Sequence, residues 1–216
     1  MPNTTTILTL CVLFAASSLL AQNATYGLQA GVFISTPKMD EVYYDFSGQV
    51  GFSGGIFFRI PLTKNLSFQP EASYVRRPVR AAYSFDTYNA LDPRVVLDYS
   101  ADQNLLELGG LLRREIGVRR IKPFVAGGMA VGFLTDKKAT YTRDGAPYAT
   151  TAFTHNDVSV LLESGVSMAT KNGLSLSLGL RYSLAFNYQE RSPLSFSRIG
   201  ARHHRFLLQL GVAKAF

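Results

Sequence analysis

Residues 174–184 alternate without a break. Leu174, Leu176, Leu178, Leu180, Tyr182 and Leu184 take the even positions, and Ser, Gly and Arg take the odd ones. Successive side chains of a strand point to opposite faces, so such a segment has one greasy face and one polar face. The same period recurs at Tyr26 to Ile34, Val50 to Ile60, Leu66 to Tyr74, Val158 to Met168 and Phe206 to Val212. Asn104 to Arg114 and Pro123 to Leu134 follow it less tidily. No helical period of any length follows Gln22, and the count of strands is eight. The polar faces decide which solvent the greasy faces meet. They carry Gly51, Ser53 and Gly55; Gln69, Glu71 and Ser73; Ser175, Ser177 and Gly179. These small, weakly charged residues make a poor water-facing surface but suit a narrow lumen. Leu, Val, Phe and Tyr on the opposite faces suit lipid. In hydrocarbon every backbone group must be bonded internally, which requires a closed barrel. The expected fold is all-β, an eight-stranded antiparallel transmembrane up-and-down β-barrel.

The connections support this reading. Pro61 to Asn65, Ile116 to Ile121 and Lys171 to Gly173 are short. Thr36 to Gln49, Arg77 to Ala101, Thr135 to Asn156 and Asn187 to Arg202 are long. Outer-membrane barrels sort their loops in this way, short on the periplasmic side and long on the extracellular side. Pro78, Pro93 and Pro147 are expected to mark irregular loop backbone. A three-residue turn at Lys171-Asn172-Gly173, with glycine left-handed, would set Glu163 opposite Arg181. Aromatics near strand ends (Tyr26, Phe58, Phe68, Tyr74, Tyr182, Phe186 and Phe206) fit interfacial girdles.

The start of the chain is different. Met1 to Gln22 contains no charged side chain, Ile7 to Leu20 is mostly apolar, and small residues follow. This reads as a secretory signal peptide over residues 1–22, cut after Ala21 or Gln22, ahead of a barrel domain over 23–216. The single cysteine, Cys11, follows Leu10 inside the apolar run, which is wrong for a lipidation site, so the mature chain has no thiol. The formal charge of +7 falls entirely on the mature part. Export argues against nucleic acid as its partner and favours anionic lipid or polysaccharide phosphate.

Several stretches resemble the PorT-like outer-membrane β-barrel family of Bacteroidetes. They are Leu66-Ser67-Phe68-Gln69-Pro70-Glu71-Ala72-Ser73-Tyr74, Asn104-Leu105-Leu106-Glu107, and Lys122-Pro123-Phe124-Val125-Ala126-Gly127-Gly128. Gly173-Leu174-Ser175-Leu176 running into Arg181-Tyr182-Ser183, and the closing strand to Phe216, continue the match. The resemblance covers nearly the whole mature chain, through loose motifs in a fixed order. It implies an outer-membrane location and an eight-stranded barrel, and little about activity. Leu208, Leu210, Val212 and Phe216 share a face and resemble the C-terminal signal read by the barrel-assembly machinery, with Lys214 as a departure from it.

Chemistry-bearing residues are few. Glu71, Glu107, Glu163 and Arg181 are expected to form a paired lumenal charge network, with Arg59 and Arg113 nearer the periplasmic rim. Arg76, Arg77 and Arg80, and Arg202 with Arg205, are expected at the extracellular rim against lipopolysaccharide phosphates. Arg113, Arg114, Arg119, Arg120 and Lys122 surround a periplasmic turn. His155, His203 and His204, near Asp157, Ser192 and Ser195, form no recognised catalytic motif, and adjacent strand residues diverge too much for the His pair to share a metal. Phosphate-cradling loops, zinc spacings and nucleophile elbows do not occur. No catalytic residue, cofactor or metal is therefore assigned. The expected role is a non-enzymatic structural or surface-interaction one, with an unknown envelope or surface protein as partner. An outer-leaflet lipid-modifying enzyme and a narrow channel are the alternatives.

Overall fold

The computed structural model describes residues 24–39, 44–86, 94–117, 120–143, 146–151, 157–170, 172–191 and 198–215. The expected signal peptide over 1–22, Cys11, Pro93, Arg119, His155, Lys171, Ser192, Ser195 and Phe216 lie outside these residues.

Ten strands are described: β1 (Thr25–Met39), β2 (Tyr44–Ser47), β3 (Gln49–Pro61), β4 (Leu66–Asp86), β5 (Arg94–Glu115), β6 (Ile121–Arg143), β7 (Ala146–Thr151), β8 (Asp157–Ala169), β9 (Leu174–Arg191) and β10 (Arg198–Ala215). Eight of them close a barrel. Around the wall the order is β1, β3, β4, β5, β6, β8, β9, β10, and β10 returns to β1. All of these pairings are antiparallel. Closure leaves no membrane-level edge with unpaired backbone groups, the condition lipid imposes.

The alternation is inverted relative to a water-soluble barrel. Leu28, Val32, Val50, Ile56, Leu112, Met129, Leu162, Leu180 and Leu210 are exposed on the outside. Gln29, Gln69, Glu71, Glu163, Arg181 and Gln209 are buried inside. Tyr26, Phe58 and Phe68 lie towards the short-turn end of that greasy band, and Tyr74 and Phe206 towards the other. The side chain of Phe186 is outside the described residues. Leu208, Leu210 and Val212 all face outward, with Lys214 on the same side.

Glycine matters most at two kinds of place. Gly117 and Gly173 have positive φ, 90° and 73°, in the short turns after β5 and β8. Gly173 closes the hairpin in which Glu163 pairs with Arg181. Inside the wall, glycines make room for rings. A side chain on Gly51 would collide with Phe33, one on Gly27 with Phe57, and one on Gly165 with Phe124. An eight-stranded lumen is so narrow that a large residue on one strand needs an absent one on its neighbour.

The long connections are shorter than the sequence pattern suggests. β4 and β5 keep pairing from Arg77↔Gln103 to Asp86↔Arg94, beyond the last greasy pair, Tyr74↔Leu106. That adds about 30 Å of ladder along the strands. β6 continues alongside to Thr142, β2 pairs with β4, and β7 pairs with β6. The wall therefore rises past the greasy band as a sheet of order β2-β4-β5-β6-β7. Beyond the lipid neither face must be apolar, so the backbone ladder persists after the hydrophobic period has stopped.

Two of the prolines expected in loops lie in strands, Pro78 in β4 and Pro147 in β7. Each proline of β4 sits where a ladder bond is missing. The β3–β4 pairing stops at Phe52↔Arg76 and β2–β4 begins at Ser47↔Arg80, so Pro78 faces the gap. Pro70 faces a second break, between Phe57↔Glu71 and Ile60↔Phe68. Proline has no N–H to donate, and both prolines sit where the strand needs none on that side.

Candidate functional site

The lumen is built in layers, each from inward-facing positions of several strands. At mid-height Arg181 on β9 is surrounded by acceptors. Its Nη2 donates to Glu71 Oε2 at 2.9 Å and to Glu163 Oε2 at 2.7 Å, and its Nε donates to Glu163 at 3.0 Å. Nη1 donates to the other oxygen of Glu71. Gln29 donates to Glu71 Oε2 and Ser73 Oγ, Gln69 to Glu71, and Gln209 to Glu163 Oε1. Two carboxylates thus hold one guanidinium, backed by four amide or hydroxyl groups, and each carboxylate has more than one donor. A buried charge cluster is tolerable only when satisfied in this way.

Of the four residues expected to form one network, the structure brings together Glu71, Glu163 and Arg181. Glu107 belongs to a second cluster. Arg205 grips it with both Nη atoms at 2.8 Å and also reaches Ser183 at 3.4 Å. The expectation of Arg205 at the outer rim is thereby corrected. It is 5% exposed and points into the barrel, because odd positions of β10 face inward. Arg77 is corrected for the same reason. It is 4% exposed, donates to Gln103 Oε1 at 2.6 and 2.9 Å, and pairs with Asp157 at 2.8 Å.

Two apolar clusters accompany the polar groups. Phe33, Val75, Leu105 and Leu207, with Leu134 against them, form one cluster. Leu111, Ala130 and Leu161, with Ala126, form a second such cluster. The lumen is a filled core, as eight strands dictate.

Two of the remaining expected cations lie on the outer face. Arg76 and Arg80 are exposed, as their even positions on β4 require. Arg76 lies 3.4 Å from Asp102 of β5, both about half exposed. Just below, Tyr74 donates to Asn104 Oδ1 at 2.8 Å and stands beside Phe52. A groove of about 550 Å³ runs across this region, lined by Phe52, Tyr74, Arg76, Arg80, Ser100 and Asp102 among others. It begins where the outward face changes from apolar to polar. The side chain of Arg202 is outside the described residues.

The histidines diverge. His203 is buried inside, whereas His204 faces out and its Nδ1 lies 2.7 Å from the Tyr182 hydroxyl. Among the described residues, no group of three or more His, Cys, Asp or Glu side chains is placed to hold a metal. Near the short turns, Arg113 and Lys122 turn inward on Glu115, and Arg120 donates to the Ala169 carbonyl at 3.1 Å. Sequence reading missed Gln29, Gln69, Gln209, Gln103 and Asp157 as network members. Their inward parity on the strands was the available signal.

A closed antiparallel barrel with a lipid-facing belt, a packed polar lumen and one set of short turns defines an integral outer-membrane protein. The chain belongs to the outer membrane protein beta-barrel domain family, whose model matches residues 20–188, and its location is the outer membrane. No curated protein matches it. Among solved structures it is similar to the outer membrane protease OmpT from Escherichia coli, at 9% identity and TM-score 0.50, covering 91% of this chain and 97% of that one. It is also similar to Neisserial surface protein A, at 15% identity and TM-score 0.47, covering 88% and 97%. The outer membrane protein OprG from Pseudomonas aeruginosa gives 11% identity and TM-score 0.44, covering 90% and 98%.

Proposed function

We propose that this protein is a non-enzymatic surface barrel whose activity resides in the part of its wall that rises above the membrane. The observation that carries this reading is a contrast within one wall. The lumen is filled by paired charges and apolar clusters, while strands β2, β4, β5, β6 and β7 continue outward as a sheet. A long ordered extension costs conformational entropy, and a sheet that contributes nothing to the lipid-embedded barrel offers a binding face instead. The partner is an envelope or surface protein. The resemblance of the Leu66–Tyr74 and Gly173–Ser183 stretches supports placing the chain among PorT-like members of its family. A signal peptide cut after Ala21 or Gln22 would export it, and Leu208, Leu210 and Val212 would present it to the barrel-assembly machinery.

The test combines conductance and trimming. Purified protein in planar bilayers should give no stepwise current. A variant in which residues 79–99 are replaced by a tight turn should still insert and resist urea extraction, yet lose its partner in cross-linking from intact cells. Steady conductance by the full chain, or unchanged cross-linking by the trimmed one, would sink the reading.

Lipopolysaccharide is the proposed lipid contact. The Arg76–Arg80 groove supports it, since guanidinium groups over an aromatic floor suit a phosphorylated sugar. The double substitution Arg76→Ala and Arg80→Ala should weaken binding of lipopolysaccharide to the detergent-solubilised barrel by about tenfold. Equal affinity for both forms would remove the groove from consideration.

A further inference from the structure

The short-turn mouth of the barrel carries an excess of positive charge, unlike the middle. At mid-height one arginine meets two carboxylates. At the mouth Arg59, Arg113 and Lys122 converge on Glu115, at 3.9, 3.5 and 3.4 Å. Glu115 also accepts from Ser167 Oγ at 3.3 Å. A single carboxylate neither balances three positive charges nor accepts from all of their donors.

The shortfall shows in individual atoms. Arg113 is 2% exposed and its guanidinium lies 3.3 Å from the Phe124 ring centroid, yet its Nε and Nη2 make no hydrogen bond. Arg59 has only long bonds, 3.4 and 3.3 Å, to the Gln69 amide oxygen. Thr25 Oγ1 is buried and makes no hydrogen bond either. Buried donors without acceptors are costly, and most costly when charged. Thr25 and Arg59 line the same cavity of about 210 Å³, together with Thr63, Lys64, Ser67 and Glu115. The cavity opens at the end of the barrel that carries the short, periplasmic turns.

We propose that this mouth is a periplasm-facing anion site that takes a phosphate-type oxyanion. Arg59, held most loosely by Glu115, donates to the anion. Thr25 Oγ1 adds a hydroxyl donor and Lys64 adds charge from the turn. Glu115 is then left to Arg113 and Lys122, which it already approaches more closely than Arg59. The same chemistry is supplied by free phosphate in the periplasm or by the headgroup of an inner-leaflet phospholipid. This site stands independently of the extracellular reading above.

The experiment is calorimetric titration of the full barrel in dodecyl maltoside with inorganic phosphate, at constant ionic strength. Saturable binding of one phosphate per chain is expected. Glu115→Gln removes the competing carboxylate and should tighten binding by about tenfold, while Lys64→Ala, at an exposed turn position, should weaken it. Opposite shifts from two substitutions at one mouth distinguish a site from general damage to the fold. Competition by added phosphatidylglycerol would identify a lipid headgroup as the occupant, and persistence of phosphate binding would identify the free oxyanion. No saturable heat with the wild-type chain, or equal affinities in the two variants, would overturn the proposal.

Discussion

Replacing Arg181 by methionine will destabilise the barrel by about 3–5 kcal/mol, the usual consequence of leaving buried charges without their partner. Glu71 and Glu163 would face each other across the lumen with only Gln29, Gln69 and Gln209 as donors. The measurement is urea unfolding of the refolded barrel in detergent, followed by the mobility shift on an unheated gel. A triple variant adding Glu71→Gln and Glu163→Gln should recover most of the loss, because neutral amides can bond to one another where two carboxylates cannot. A single variant within about 1 kcal/mol of the parent would mean that water reaches this layer. The lumen would then have to be treated as wet.

The second large effect lies on the other face of the same strand. Leu178 faces lipid on β9, flanked by Leu210 and Val166 on the neighbouring strands. Leu178→Arg should cost about 2–4 kcal/mol, the range for a cation at the middle of a barrel's lipid face. Lys214→Leu, near the short-turn end, should change stability by less than about 1 kcal/mol, because Lys214 already lies where a long side chain reaches the headgroups. Refolding into vesicles in the absence of any assembly factor isolates the lipid term from recognition of the last strand. If Leu178→Arg proved as benign as Lys214→Leu, the greasy belt could not be facing hydrocarbon.

Both predictions draw on a pattern that is plain in the chain. Residues 174–184 show their two faces without any structure, because lipid on one side and a narrow lumen on the other enforce strict parity. The Glu163–Arg181 pairing was also accessible, since a three-residue turn ending in Gly173 sets the register of a hairpin. Arg77 and Arg205 show where that reasoning failed. Read as members of basic clusters they suggested a rim; read by parity from Val75 and Leu207 they point inward, as they do. Parity was the stronger signal, because side-chain direction in a strand is a matter of geometry whereas clustering in sequence mixes both faces.

The outer sheet could not be read in this way. Past Tyr74 and Leu106 no lipid constrains the outward face, and strands 66–86 and 94–115 lose their period while keeping their ladder. Hydrogen bonding between neighbouring backbones does not depend on which side chains they carry, so composition gives no mark of where pairing ends. Pro78 even argued for a loop, until the gap between β3 and β2 accounted for it.

The amino-acid sequence by itself determined the class of wall, the eight membrane staves, their inside-out orientation and the local hairpin register. All of these follow from period-two patterning and turn chemistry, which act over a few residues. Only the tertiary structure decided which charges meet. Arg181 reaches Glu71 from 110 positions away, and Arg205 reaches Glu107 from 98. Such partners are set by closure of the barrel, which brings distant strands face to face across the lumen.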